Sequence, residues 1–309
     1  MIKDIVQEGP VTIECLISRC ERGKTVKNTP YLSLALEDAS GILDAKFWNL
    51  TDQMIAQYHT GMIVEAQGDI LFHKNAMQLR VRKLTPLEGK DVSQYVQNAP
   101  MTKAQMEEEI MAAILEMKDG VIQKVVLKVL EEVQEDFYTY PAATRNHHNF
   151  VGGLAYHTLT MLRMAKHVLC EYPWLDADLL MGGVILHDIG KIKELSSMIL
   201  PEYTTEGNLI GHISIGTHEI EKAACELKCE KTEEVMLLKH MVLSHHGKQE
   251  FGSPVLPMIP EAEVLSLLDN LDARLDMMKK TIEATQPGHF GPRVFALENR
   301  MIYRKKDAE

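Results

Sequence analysis

At 309 residues and 45% hydrophobic content, the chain is sized for about two domains of ordinary soluble composition. Its formal charge of −11 argues against a protein that coats duplex nucleic acid by bulk electrostatics, and no segment approaches the ~20 apolar residues of a membrane helix. The start, MIKDIVQEGP, does not read as a secretory signal, and Cys15, Cys20, Cys170, Cys225 and Cys229 form no zinc-like pair of pairs, so a reducing cytoplasm is expected.

The first ninety residues read as strands. Val11, Ile13, Cys15 and Ile17 alternate, as do Leu32, Leu34 and Leu36; Ile42 to Trp48, Met62–Phe72 and Ala76–Leu84 complete five. Turn signals separate them at Asn28-Thr29-Pro30, Asp38-Ala39-Ser40-Gly41 and Lys74-Asn75. A short amphipathic stretch, Leu50 to Tyr58, lies between the third and fourth strands, which is the arrangement of an OB barrel. OB barrels hold single strands by stacking bases on aromatic side chains. The candidates are Tyr31, Phe47, Trp48 and Phe72 with the basic residues Arg80, Arg82 and Lys83. Phe47 and Trp48 are neighbours in one strand and point to opposite faces, so one of them belongs to the core; Arg80 and Arg82 share a face.

From about Thr102 the period becomes helical, with Ile110, Ile114, Met117 and Val121 on one face and further runs at 121–135, 157–170, 176–187, 212–228, 232–245 and 260–284. Thr102 with Gln105 three residues on predicts a capping box. Cys225 and Cys229, four apart, read as neighbouring buried thiols rather than a disulfide. The fold expected is an amino-terminal all-β barrel followed by an all-α domain, with a charged tail from Arg304.

Charge and histidine are unevenly spread. Residues 1–90 carry 11 basic and 11 acidic residues, leaving 22 and 33 beyond; eleven of the 13 histidines follow residue 100. Within the helical part His187-Asp188 ends an apolar run, LLMGGVILHDIGK. Around it in sequence stand GGLAYHT with His157, Gly211-His212, Ser244-His245-His246-Gly247 and LLDNLDARLD with Asp269. Imidazole and carboxylate suit Mn, Fe, Co, Ni or Zn, and two metals a few ångströms apart need about this many donors. His240 lies about 140° around a helix from His245, so the two do not serve one metal. Asp269, Asp272 and Asp276 share a face, and spacing does not choose among them. His167, His218 and His289 read as structural. His147 and His148, beside Arg145 and Asn149, are candidates to line a substrate entrance or to cap a helix.

The order His157, His187-Asp188, Asp269 resembles the HD phosphohydrolase superfamily, and the added His212 and His245 resemble its dinuclear members. The whole string, NHHNFVGGLAYHT, HDIGK, TTEGNLIGH, SHHG and LDNLDARLD behind an OB-like domain, resembles the bacterial YhaM 3′-to-5′ exoribonuclease family over nearly the full length. That resemblance implies an OB-fold nucleic-acid-binding domain at 1–90, a helical linker at 91–140 packing on the next domain, and an HD domain at 141–309. It implies one metal on His157, His187, Asp188 and Asp269, with Asp188 bridging to a second completed by His212 and His245. Lys191 would meet a substrate phosphate oxygen. His148 and His246 are carried as candidate substrate contacts, and the resemblance does not choose for His246 between that place, a metal ligand and a group behind the ligands. The metal expected is Mn²⁺, with Fe, Co, Ni, Zn or Mg as alternatives. Water acidified from a pKa of 15.7 to roughly 7 on such metals supplies hydroxide for in-line attack on phosphorus. The activity implied is removal of nucleoside 5′-monophosphates from single-stranded RNA, or single-stranded DNA, by a chain that can also assemble into homo-oligomers and touches no membrane.

Three other readings compete. A phosphohydrolase of a small or cyclic nucleotide is near, because HDIGK also resembles HD-GYP enzymes, but no Gly-Tyr-Pro follows His212. An iron oxygenase of related fold needs no strand-holding barrel. A single-strand binder with an inactive metal site would have to bury many polar ligands without a cation.

Overall fold

The structure is a computed structural model and describes residues 1–73, 76–144 and 148–307. The turn signal at Lys74-Asn75, together with Arg145 and His147, lies outside the described residues. The chain divides into two compact units, residues 1–98 with 277–309, and residues 99–276. The carboxyl-terminal residues from 277 therefore group with the barrel, where the sequence reading had placed them in the helical domain.

In the first unit β1 (Gly9–Lys24), β2 (Pro30–Asp38), β3 (Gly41–Phe47), β4 (Ile63–His73) and β5 (Ala76–Pro86) close into a barrel in the order β1-β2-β3-β5-β4, with α1 (Asp52–Ile55) between β3 and β4. The strand β1 is longer than its alternating core because its first half pairs with β4 and its second with β2. The alternation fills the lumen: Cys15, Ile17, Leu32, Leu34, Leu36, Ala45, Phe47, Val64, Ile70 and Leu79 are buried together. Phe47 goes inward and Trp48 stays partly exposed, as their opposite facing requires. The hairpin β6 (Phe290–Val294) and β7 (Arg300–Tyr303) belongs to this unit. No alternation announced it, since Gly288, Gly291, Pro292 and Asn299 interrupt the pattern.

The second unit is helical: α2 (Lys103–Leu115), α3 (Gly120–Phe137), α4 (Gly153–Glu171), α5 (Ala177–Leu186), α6 (Lys191–Glu194), α7 (Thr205–Ile210), α8 (His212–Leu227), α9 (Glu233–Ser244) and most of α10 (Pro260–Glu283). Thr102 and Gln105 form the expected capping box. The helix α5 is apolar on every side and buried from Leu179 to Leu186, which makes it the central element. Its glycine pair permits this. A Cβ on Gly182 would stand 2.9 Å from Ile122, and one on Gly183 would stand 2.4 Å from Met241, so α5 lies close against α3 and α9. Among the described residues no helix is long and apolar enough to cross a membrane. All five cysteines are free; Cys225 is exposed and Cys229 half-buried, not a buried pair, because α8 ends at Leu227 and Lys228 turns left-handed at a φ of 59°.

Candidate metal centre

The buried ends of several helices converge on Asp188. It follows His187, the residue that caps α5, and its carboxylate is buried. On one side His157 from α4 and His187 bring their Nε2 atoms within 3.8 and 3.2 Å of Asp188 Oδ2. Asp269 from α10 completes that side, its Oδ1 lying 3.3 Å from His157 Nε2. On the other side His212, which opens α8, and His245, which caps α9, place Nε2 at 3.6 and 3.7 Å from Asp188 Oδ1. Two donor groups thus share one carboxylate, an oxygen to each: His157, His187 and Asp269 within 4.8 Å of one another, and His212, His245 and His246 likewise.

The hydrogen bonds at Nδ1 decide what the inward atoms are. His187 donates from Nδ1 to the Val184 carbonyl (2.8 Å), His245 to Val242 (2.7 Å) and His246 to Phe251 (2.7 Å). His157 donates to Asp272 Oδ2 (2.7 Å) and His212 to Glu194 Oε1 (3.0 Å). A carbonyl or carboxylate oxygen only accepts, so each ring carries a hydrogen at Nδ1 and, in its neutral form, turns an Nε2 lone pair inward. Asp188 Oδ1, His212 Nε2 and His245 Nε2 are buried and have no hydrogen-bond partner. Three electron-rich atoms face one another with no donor between them, an arrangement that is unfavourable without a cation and suited to one. The residues present therefore fit a divalent metal.

Titration follows the same electrostatics. Burial works against ionising Asp188, but Lys191 and His187 outweigh it and hold the carboxyl well below the usual range. Burial also works against a charged His157, yet Asp269 and Asp272 raise it to about 9. Burial, helped by His246 and His187, pushes His245 well below 6.5, which keeps it a neutral donor. Lys191 lies one turn on, with Nζ 2.6 Å from Asp188 Oδ2.

The structure brings together His157, His187, Asp188, His212, His245 and Asp269, with Lys191 against Asp188. His246, for which the sequence left substrate contact and metal ligand both open, stands with His212 and His245 as a third ring of their group. His148 departs from its expected place at an entrance: it is buried at 4% exposure, and its Nε2 lies 2.6 Å from Asp272 Oδ2. His240 is outside the cluster and accepts from the Met258 amide. Asp272 and Glu194 were missed as contributors. The only signal for Asp272 was its face shared with Asp269; Glu194, six residues past Asp188, had none.

Of the barrel candidates, Phe47 is buried in the lumen, Tyr31, Trp48 and Phe72 are partly exposed, and Arg80, Arg82 and Lys83 are exposed. Tyr31 and Trp48 pair with ring centroids 4.4 Å apart, and Lys46 Nζ lies 5.5 Å from the Tyr31 ring. Gly23, opposite Tyr31 in the sheet, leaves the space this ring uses, since a Cβ there would come within 2.3 Å of it. Arg80 and Arg82 are exposed on β5, with Arg82 Nε 3.3 Å from Asp69. Residues 154–274 match the family model described as HD domain, so the helical part of this chain carries an HD domain and indicates a metal-dependent phosphohydrolase behind a five-stranded closed barrel.

Proposed function

We propose that the chain is a dinuclear, metal-dependent 3′-to-5′ exoribonuclease that hydrolyses single-stranded RNA to nucleoside 5′-monophosphates. The observation that carries this reading is Asp188, with one carboxylate oxygen toward each of two lone-pair clusters. His157, His187 and Asp269 would hold one ion, His212, His245 and His246 the other, with Asp188 common to both. Divalent ions held there, Mn²⁺ first among them, acidify water and neutralise charge on phosphoryl oxygens. The chain's own contribution is placement. Asp188 fixes the midpoint, and the Lys191 ammonium, buried beside it, supplies a positive charge for a phosphoryl oxygen in a site where charge is poorly screened. An RNA substrate is supported by the barrel, whose outer face offers the Tyr31–Trp48 pair with Lys46, Arg80 and Arg82, an aromatic and basic surface of the kind that takes single strands.

The test is incubation of the full chain with 5′-labelled single-stranded RNA and Mn²⁺, beside a chelator control and Asp188→Ala. The expected result is a ladder shortening from the 3′ end with release of 5′-monophosphates, absent in both controls. No shortening by metal-loaded protein, with turnover of a small nucleotide phosphodiester instead, would replace the exonuclease reading.

A further inference from the structure

The five inward-facing histidines are not held alike. His187 and His245 each cap a helix, and each donates from Nδ1 to a carbonyl three residues back, Val184 and Val242. The last carbonyls of a helix lack partners within it, so these rings find an acceptor in their own last turn. His246 likewise uses a nearby carbonyl, that of Phe251. His157 and His212 have no such local acceptor. His157 lies inside α4, where carbonyls of the preceding turn are engaged in the helix, and His212 opens α8 behind Gly211, whose non-helical backbone (φ 77°, ψ 151°) separates it from the last turn of α7.

Both are held instead by carboxylates from other elements. Asp272 on α10 accepts from His157 Nδ1 at 2.7 Å, and the same oxygen is met by His148 Nε2 at 2.6 Å. Glu194, at the end of α6, accepts at Oε1 from both the His212 ring and the His212 backbone amide, each at 3.0 Å. One oxygen thereby caps the first residue of α8 and turns its ring. Each donor group contains one histidine of this carboxylate-held kind.

We propose that Asp272 and Glu194 are positioning residues, one for each ligand group, and that each sets the affinity of its own group for a divalent ion independently of the other. A carboxylate behind a ligating histidine fixes the ring and makes it a stronger donor, and losing such a partner typically weakens metal binding about 10–100-fold. Because His157 and His212 lie on opposite sides of Asp188, the two losses separate. This inference rests on the dinuclear reading above.

The experiment is calorimetric titration of metal-free full-length chain with Mn²⁺, followed by electron paramagnetic resonance of the loaded samples, for the natural chain, Asp272→Asn and Glu194→Gln. Circular dichroism of each metal-free variant checks the fold. Two ions are expected for the natural chain, with the spectrum of a coupled pair. Each variant is expected to keep one site at its original affinity, to lose about 10–100-fold at the other, and to give an uncoupled Mn²⁺ spectrum at intermediate loading. Glu194→Asp and Asp272→Glu, which keep the charge and displace the oxygen by one methylene, read the same partition should an amide variant fail to fold. Two unaltered sites in the variants, or equal weakening of both sites by either change, would overturn the positioning roles. A natural chain that takes fewer than two ions would overturn the dinuclear reading itself, and the inference with it.

Discussion

Gly190 in HDIGK offers a stringent test of how the two sides of the site are joined. Its backbone is ordinary right-handed helix (φ −65°, ψ −18°), so alanine suffers no conformational penalty and, by restricting the unfolded chain, would stabilise by about 0.4–1 kcal/mol. Space reverses that expectation. A Cβ at 190 would stand 2.1 Å from the His212 carbonyl oxygen and 2.8 Å from the Gly216 nitrogen, both backbone atoms of the first turns of α8. Ordinary contact begins near 3.4 Å, so the α6 and α8 backbones must part by about 1.3 Å along that line. Overpacking of this kind costs about 1–3 kcal/mol, which exceeds the entropic gain. The same displacement shifts His212, whose Nε2 lies 3.6 Å from Asp188 Oδ1. Gly190→Ala is therefore expected to lower the melting temperature by several degrees and to weaken the ion at His212, His245 and His246 while sparing the other. Gly120→Ala at the start of α3, where a Cβ meets nothing within 4 Å, is the control and should be neutral or stabilising. Thermal melts and Mn²⁺ titration on both variants read the outcome. A Gly190→Ala chain as stable as the natural one, with both ions bound, would refute the close-approach argument.

Chelation should destabilise the helical unit, because ions that bind only the folded chain contribute about 2.7 kcal/mol per site at a hundredfold excess over Kd; a melting temperature lower by about 5–10 °C in EDTA is expected, and no shift would count against a tight site. Trp48→Ala removes half of the Tyr31–Trp48 pair and should weaken single-stranded RNA about 5–150-fold in fluorescence anisotropy, corresponding to roughly 1–3 kcal/mol of stacking; unchanged affinity would remove this face from the binding surface. Burial, with Asp38 and Glu14 adding to it, pushes the Cys15 thiol up to about 12, so iodoacetamide at pH 8 should label exposed Cys170 in the native chain and Cys15 only after denaturation. The folded chain keeps that proton while the unfolded thiol, near its ordinary 9.0, releases it. Stability should thus fall as pH rises from about 9 toward 12, by at most about 1.4 kcal/mol per pH unit from this group, as alkaline melts of the natural chain and Cys15→Ala would show.

What the sequence by itself determined was local or typological. Alternation at Val11 to Ile17 and Leu32 to Leu36 announced strands, Thr102 with Gln105 announced a helix start, and the opposite facing of Phe47 and Trp48 followed from the pleat, because these depend on neighbours along the chain. The candidate metal donors were legible as residue types in a recurring order. Tertiary structure alone decided which of them meet. It divided them into two groups about the two oxygens of Asp188, put His246 in one and drew His148 inward to Asp272. It also singled out Asp269 from its helical neighbours as the carboxylate facing Nε2 of His157, while Asp272 faces Nδ1 of the same ring. Glu194 shows the reason most plainly. It is one acid among 44 Asp and Glu residues in the sequence, and its role follows only from the packing that brings α8 against α6 with no room for a methyl group at Gly190. A hydrogen bond from a ring nitrogen depends on positions in space that no sequence period encodes, so the donors could be read from the chain while their orientation waited for the fold.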